Sequence, residues 1–209
     1  MVNAIFLGSF DPPHLGHANV IMSVLNSDIS KSIKSIHIIP AHQNPNKKKS
    51  TPILYRYYMS KMMFEQLSNE TTNVIVNDLE FKHNWEYTYD MLEYLNNGND
   101  KTIGDDFLWI LTEETYQEIL KHCWYKSEEI LLKYENRMII VGDLKPEIGK
   151  YASQILPCKD YVSLMSGFTM HSTDIRNYIK EHKNIELYCN KQIYSLIKEN
   201  NLYDYMNET

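Results

Sequence analysis

Short apolar runs alternate with longer segments of helical periodicity along this chain. The apolar runs have the length and composition of buried strands, and they cover residues 2–7, 35–39, 74–77, 107–111 and 138–141, with a weaker run at 161–164. Helical patterns cover residues 17–25, 52–67, 88–96, 113–120, 127–134, 172–180 and 191–200. Because buried strands that alternate with helices form parallel sheets, the pattern predicts an α/β fold. We expect a doubly wound parallel sheet with helices on both faces and a small helical part at the C-terminal end.

The length and composition fit one globular domain over residues 1–209. Of the 209 residues, 43% are hydrophobic and 23% are charged, with a formal net charge of -6. This charge argues against a general binder of nucleic acid or anionic membranes, although a local pocket for phosphate stays compatible with it. No apolar run is long enough to cross a bilayer, and the first residues lack a signal-peptide pattern.

The cysteines favour a reducing compartment. Cys123, Cys158 and Cys189 are odd in number and far apart, so they match neither a zinc spacing nor a disulfide framework. We therefore expect a cytoplasmic protein, and the sequence leaves open whether it forms a homo-oligomer.

Residues 8–17, G-S-F-D-P-P-H-L-G-H, connect the first predicted strand to the first predicted helix. The segment is neither the G-x-G-x-x-G fingerprint nor a P-loop, but its parts suit phosphate. Gly8 would let a ligand approach the strand end, and Gly16 would leave room against the backbone. The helix start would offer free N–H groups. His14 and His17 are three residues apart, so they can share one face of the first turn and donate hydrogen bonds to phosphate oxygens.

This segment resembles the H-x-G-H signature of the nucleotidyltransferase superfamily, and its flanks are similar to nicotinate-nucleotide adenylyltransferases of the bacterial type. Other segments agree with that family over most of the chain: residues 38–47 with a Pro/Lys loop, Arg56, residues 87–90 (Y-T-Y-D), Trp124 with Tyr125, residues 172–176 (S-T-D-I-R) and the tail at 194–203. The resemblance implies a Rossmann-like fold. It also implies adenylyl transfer from ATP to nicotinate mononucleotide, giving nicotinate adenine dinucleotide and pyrophosphate, with nicotinamide mononucleotide as a further acceptor.

The resemblance also assigns roles to individual residues. His17 would stabilise charge on the α-phosphate with His14 beside it, and Arg176 would hold the outer phosphates, with Mg²⁺ bound mainly through ATP oxygens. The predicted ATP-binding residues are Gly8, Ser9, Phe10, His14, Gly16, His17, Lys47, Glu113, Ser172, Thr173 and Arg176. The predicted residues for the pyridine mononucleotide are Gly8, Ser9, Phe10, Tyr87, Thr88, Trp124 and Tyr125.

Taken without the resemblance, the later segments are less specific. Ser172 or Thr173 suits an N-cap, which places Arg176 in the first helical turn where it can pair with phosphate or stay solvated. Thr88 can simply start a helix, and Trp124 and Tyr125 can simply belong to the core. Lysines 47–49 are a solvated loop by default, with Lys47 at the family position.

Two segments depart from the family pattern and bear on adenine recognition. The family has I-G-x-D after its fourth strand, whereas this chain has I-L-T-E, ending at Glu113. The family has R-P-G after its fifth strand, whereas this chain has Val141, Gly142 and Asp143. His171 also replaces a serine of the family pattern, and we interpret it as a neighbour of a capped helix.

Alternative functions share the first motif. A pantetheine-phosphate adenylyltransferase shares it but lacks the segments at 87–90 and 124–125. A cytidylyltransferase is a more distant alternative, and a class I aminoacyl-tRNA synthetase requires a longer chain. A nucleotide-binding sensor without catalysis would account for the two altered segments, although both histidines and Arg176 are retained.

Overall fold

Six parallel strands form one sheet in the computed structural model, which describes residues 1–43, 50–142, 160–163 and 170–203. The strands are β1 Val2–Gly8, β2 Ile33–Pro40, β3 Asn73–Val76, β4 Phe107–Thr112, β5 Met138–Gly142 and β6 Asp160–Ser163. Their order is β3-β2-β1-β4-β5-β6, and each neighbouring pair is parallel. Every predicted strand is confirmed, with ends that differ by one or two residues.

Eight α-helices lie in the described residues, and seven of them were predicted. They are α1 Leu15–Leu25, α2 Ile53–Phe64, α3 Leu79–His83, α4 Thr88–Asn96, α5 Glu113–Leu120, α6 Ser127–Tyr134, α7 Ser172–Lys180 and α8 Lys191–Glu199. Helix α3 was missed because five residues are too few to show a helical period. A start signal is nevertheless present, since the side chain of Asn77 accepts a hydrogen bond from Leu79 N at 2.8 Å. No described helix has both the length and the apolar character that a membrane span needs.

Side chains from the two faces of the sheet enter two separate cores, which confirms the doubly wound arrangement. On β1, Ala4 and Phe6 pack into a core that includes Val20 of α1 and Ile175 of α7. Ile5, between them, packs into a second core with residues of α4, α5 and α6. This alternation follows from the two-residue period of a strand. Helices α7 and α8 follow the last described strand and form the predicted C-terminal helical part.

The strand order places the carboxyl ends of β1 and β4 at the centre of the sheet. Chain connections leave in opposite directions on the two sides of this point, so the loops diverge and open a crevice there. Gly8, Pro40, Thr112 and Gly142 all end strands at this edge. Ligand-binding residues are therefore expected to come from the segments that follow these four strands.

The C-terminal segment is attached to the loop after β1 by a buried hydrogen bond. Tyr203 is fully buried, and its hydroxyl donates to Asp11 Oδ1 at 3.0 Å. Asp11 is 2% exposed, and its Oδ2 accepts from Thr51 N at 3.2 Å. Burial raises the pKa of Tyr203 well above its ordinary value, so the hydroxyl keeps its proton and acts as the donor.

Tyr203→Phe should lower the free energy of unfolding by about 1–3 kcal/mol, because a buried carboxylate oxygen then loses its donor. Urea unfolding near neutral pH measures the change. Tyr58→Phe is the matched control, since the side chain of Tyr58 is 48% exposed. Equal unfolding free energies for the Tyr203→Phe variant and the wild type would show that the hydrogen bond contributes nothing.

Candidate active site

Two adjoining cavities open at the carboxyl edge of the sheet. We call the first, of about 600 Å³, the histidine cleft, and its described walls include His14, His17, Glu113, Gly142 and Arg176. The second, of about 620 Å³, is the aromatic cavity, lined among others by Tyr87, Thr88, Trp124 and Tyr125. Leu7, Gly8, Ser9, Thr115 and Trp124 line both. Volumes of this size are typical of small-molecule sites. Because the cavities share a wall, ligands bound in them would lie next to each other.

The imidazole rings of His14 and His17 lie against each other at the start of α1. Their centroids are 3.8 Å apart with an interplanar angle of 35°. His14 is the N-cap of α1, and its Nδ1 accepts from Gly16 N at 3.1 Å. His17 Nδ1 accepts from His14 N at 3.3 Å. An Nδ1 that accepts a backbone N–H leaves the proton of a neutral ring on Nε2. Both rings therefore have an Nε2–H that can donate to an anion.

His14 is held in its neutral form by burial. Its side chain is in a residue only 3% exposed, and desolvation lowers its pKa from 6.5 to about 4, with a smaller contribution from His171. Asp174 opposes this shift. At neutral pH, His14 is therefore a neutral hydrogen-bond donor and not a cation.

The two glycines of the motif make room for aromatic rings of the motif itself. A Cβ on Gly8 would lie 2.7 Å from the ring of Phe10, and one on Gly16 would lie 2.9 Å from the ring of His14. Phe10 has a φ of 46° and is 1% exposed, so its ring is folded back into the core. Their missing side chains let the imidazole and phenyl rings pack close to the backbone, and both glycines also line the histidine cleft. That they leave space for a ligand stays a prediction.

The expectation of free N–H groups at the start of α1 was wrong. Leu15 N donates to Tyr188 O at 2.8 Å, and His17 N donates to His14 O at 2.9 Å. Gly16 N is bound by the ring of His14, as described above. The first turn of α1 therefore presents imidazole donors to the cleft in place of backbone donors.

Arg176 reaches the histidine cleft from α7. Its Nη1 donates to Asp11 O at 2.7 Å and its Nη2 to Thr173 Oγ1 at 2.9 Å, and these two bonds do not exhaust the donors of a guanidinium. Ser172 Oγ donates to Pro12 O at 3.0 Å, which fixes the start of α7 against the loop after β1. The guanidinium is therefore held in place before any ligand arrives.

The N-cap of α7 differs from the prediction. His171 is the N-cap, and Ser172 is the first helical residue. His171 N donates to Asp174 Oδ2 at 2.9 Å. The sequence pattern suggested Ser172 or Thr173 because hydroxyl side chains favour this position, but both hydroxyls have partners elsewhere. His171 is exposed, and it too lines the histidine cleft.

Residues 110–113, the first of the two segments that depart from the family pattern, form one wall of the histidine cleft. Leu111 is 3% exposed and belongs to the core, whereas Glu113 begins α5 at the cleft. Thr112 caps this helix by accepting from Thr115 N at 3.2 Å. Gly142, at the end of β5, lines the cleft as well, and Asp143 lies outside the described residues.

Two tyrosine rings in the wall of the aromatic cavity lie against each other, with an interplanar angle of 32°. The rings of Tyr87 and Tyr125 have centroids 4.3 Å apart, too close for a flat ligand between them. Lys126 Nζ lies 4.2 Å from the ring centroid of Tyr89 and 5.5 Å from that of Tyr125. Trp124 has its Nε1–H bound to Glu118 Oε2 at 3.0 Å. An aromatic ligand would therefore stack on the open face of one of these rings.

Arg56 holds the loops beside the two cavities in place. No function was predicted for it from the sequence. It is 1% exposed and donates to four backbone carbonyls: Thr51 O at 2.8 Å, Ser9 O at 2.7 Å, Ala41 O at 2.6 Å and His42 O at 2.8 Å. Burial lowers the pKa of the guanidinium, and the negative charges of Asp11 and Glu80 oppose this. Asp11 and Glu80 were also missed, because nothing in the sequence tells a buried carboxylate from an exposed one.

The structure brings most of the predicted site residues to these two cavities. The histidine cleft contains Gly8, Ser9, Phe10, His14, Gly16, His17, Glu113, Ser172, Thr173 and Arg176. The aromatic cavity contains Gly8, Ser9, Tyr87, Thr88, Trp124 and Tyr125. Of the two cavities, Phe10 lines the histidine cleft, and its assignment to the mononucleotide stays a prediction. Lys47 lies outside the described residues, as does Cys158.

Metal-binding groups are not gathered in the described part of the chain. Within those residues, no three His, Cys, Asp or Glu side chains are grouped so that they could hold a metal ion. Of the cysteines in these ranges, Cys123 is exposed and Cys189 is buried, and both are free thiols.

Comparison with solved structures shows the same fold. Nicotinic acid mononucleotide adenylyltransferase of Plasmodium falciparum complexed with NaAD superposes with a TM-score of 0.74 at 20% identity, covering 98% of each chain. The P. falciparum enzyme complexed with APC gives a TM-score of 0.72 at 19% identity over 96% of each chain. These likenesses establish the architecture independently of sequence.

Curated relatives match over nearly the whole chain. A protein of Clostridium botulinum (strain Loch Maree / Type A3), described as "Probable nicotinate-nucleotide adenylyltransferase", is 31% identical over 97% of this chain and all of its own length. A protein of Caldicellulosiruptor bescii with the same description is 27% identical over 96% of this chain and 97% of its own. The cytidylyltransferase-like family model matches residues 5–182. This chain therefore belongs to the cytidylyltransferase-like family, and within it to the nicotinate-nucleotide adenylyltransferases.

Proposed function

We propose that this protein transfers the adenylyl group of ATP to the 5′-phosphate of nicotinate mononucleotide, producing nicotinate adenine dinucleotide and pyrophosphate for NAD biosynthesis. The descriptions of the curated relatives name nicotinate-nucleotide adenylyltransferase activity. Nicotinamide mononucleotide is a second acceptor in the proposal.

One observation supports this function above all. His14 and His17 lie in one cleft with Arg176, which is far from them in sequence, and this cleft shares a wall with a cavity of aromatic side chains. A triphosphate in the first and a pyridine ring in the second would bring the α-phosphorus close to the attacking phosphate. Such proximity is a large part of catalysis in transfers that need no protein nucleophile.

The side chains have separate tasks in the proposed step. The mononucleotide phosphate attacks the α-phosphorus in line, and the bond to the pyrophosphate oxygen breaks. The Nε2–H groups of His14 and His17 donate to the oxygens on which charge develops. Arg176 holds the outer phosphates, and Thr173 and the carbonyl of Asp11 keep its guanidinium in position.

In this proposal, magnesium binds to the phosphate oxygens of ATP. Among the described residues, no group of three His, Cys, Asp or Glu side chains could hold the ion, and Mg²⁺ prefers phosphate oxygens and water. When bound, the ion neutralises phosphate charge, and no residue of the described chain is assigned to it.

Incubation with ATP, Mg²⁺ and one acceptor at a time tests the function, with pyrophosphate release as the readout. Nicotinate mononucleotide should support release, nicotinamide mononucleotide should support it more slowly, and phosphopantetheine should not support it. Release with phosphopantetheine alone would indicate a pantetheine-phosphate adenylyltransferase. Nucleotide binding without any release would indicate a sensor.

His17→Ala should lower kcat by about a hundredfold or more, the scale expected for losing one donor to a charge that develops in the transition state. Steady-state kinetics with saturating ATP and nicotinate mononucleotide measure the change. His182→Ala, at an exposed position beyond α7, is the control and should keep wild-type turnover. Full turnover of a folded His17→Ala variant contradicts the assigned role.

Arg176→Ala should raise KM for ATP by about tenfold to a hundredfold, because a charge-assisted bidentate pair with phosphate is lost. KM for the mononucleotide should change little. Lys180→Ala, at the other end of the same helix, is the control for charge. An unchanged ATP dependence would remove Arg176 from the site.

The neutral state of His14 should make stability depend on pH. Its pKa is 6.5 unfolded and about 4 folded, so its contribution to stability is complete above pH 6.5 and is lost as pH falls towards 4. Between about pH 7.5 and about pH 5, the wild type should lose about 2 kcal/mol more unfolding free energy than His14→Gln. Urea unfolding at both pH values measures this difference. Identical losses in the two proteins would show that His14 is not held neutral.

A further inference from the structure

Glu80 is a buried carboxyl group in the wall of the aromatic cavity. It lies in the short helix α3 and is 4% exposed. Its Oε2 accepts a hydrogen bond from His42 N at 2.7 Å, in the segment that follows β2. Burying a carboxyl group is costly unless it is hydrogen-bonded or paired. The hydrogen bond from His42 N is therefore what allows Glu80 to be buried here.

The backbone of His42 is held from both sides. Glu80 binds its N–H, and Arg56 Nη2 binds its carbonyl at 2.8 Å. Ala41 and Gln43, the residues before and after it, both line the aromatic cavity. The two charged side chains therefore determine where this part of the cavity wall lies.

The charge of Glu80 changes near neutral pH. Burial raises its pKa to about 7, against the opposing effects of the His42 hydrogen bond and the Arg56 charge. On the same helix, Lys82 is paired with Asp78 at 2.9 Å. Among the described residues, Arg56 is thus the charged group that acts on Glu80 from the packed elements. The ionised carboxylate accepts the His42 N–H more strongly than the protonated acid.

We propose that Glu80 is a positioning residue for the mononucleotide. Its hydrogen bond from His42 N fixes the part of the aromatic cavity wall that Ala41 and Gln43 form. It touches no reacting atom. The proposal rests on the proposed function only in taking the aromatic cavity as the mononucleotide site.

Two variants separate charge from hydrogen bonding. Glu80→Gln keeps an acceptor for His42 N without the charge, and Glu80→Leu removes both. At about pH 8, KM for nicotinate mononucleotide should rise about threefold in Glu80→Gln and about tenfold in Glu80→Leu. Values of kcat and KM for ATP should stay within about twofold. Asp78→Asn is the matched control, since it removes a charge from the N-cap of the same helix, outside both cavities.

The pH dependence provides a readout that a purely structural role would not change. The ratio of KM in Glu80→Gln to KM in the wild type cancels titration of the substrate phosphates. It should be close to one near pH 6 and rise to about threefold above pH 8, with a midpoint near the pKa of about 7. A ratio that does not vary with pH overturns the proposal, as does an equal rise in KM for ATP.

Further outcomes are also decisive. Where Glu80→Leu does not fold, as judged by thermal unfolding, the pH dependence of Glu80→Gln decides alone. Where the wild type releases no pyrophosphate, the proposed function fails, and titration of tryptophan fluorescence with nicotinate mononucleotide then gives dissociation constants for the same comparison. A weaker, pH-dependent binding by Glu80→Gln still supports the role of Glu80. An absence of mononucleotide binding overturns both proposals.

Discussion

The buried guanidinium of Arg56 is the interaction on which the rest of the site depends. It donates to four carbonyls in the segments that follow β1 and β2 and precede α2, so it joins three chain segments at one point. A buried cation is costly without partners, and here carbonyl oxygens and the nearby charges of Asp11 and Glu80 supply them. Among these partners, Ser9 lines both cavities and Ala41 lines the aromatic cavity, so one buried charge supports the walls of both.

The histidine motif shows how local geometry prepares chemistry. Each Nδ1 accepts a backbone N–H of the same turn, which leaves Nε2–H as the donor in the neutral ring. The glycines of the motif serve this arrangement, since a side chain at Gly16 would collide with the ring of His14. Burial then keeps His14 neutral, so this ring binds phosphate as a hydrogen-bond donor and not as a cation.

The contacts of Arg176 connect the end of the chain to this motif. Its guanidinium is bound to the carbonyl of Asp11, whose carboxylate is bound in turn by Tyr203. The last described residues thereby support the loop that presents His14. Preorganisation of this kind lowers the entropic cost of arranging donors around a triphosphate.

The sequence by itself determined the strands, seven of the eight described helices, and part of the set of residues that line the two cavities. It could do so because strand and helix periods, and the H-x-G-H string, are properties of neighbouring residues. The tertiary structure decided which buried polar groups meet. Arg56, Asp11 and Glu80 come from segments that adjoin only after the sheet has formed, and a charged residue in a sequence is on average exposed. It also decided that the first N–H group of α1, that of Leu15, is already bound, because its acceptor, the carbonyl of Tyr188, lies more than a hundred residues away along the chain.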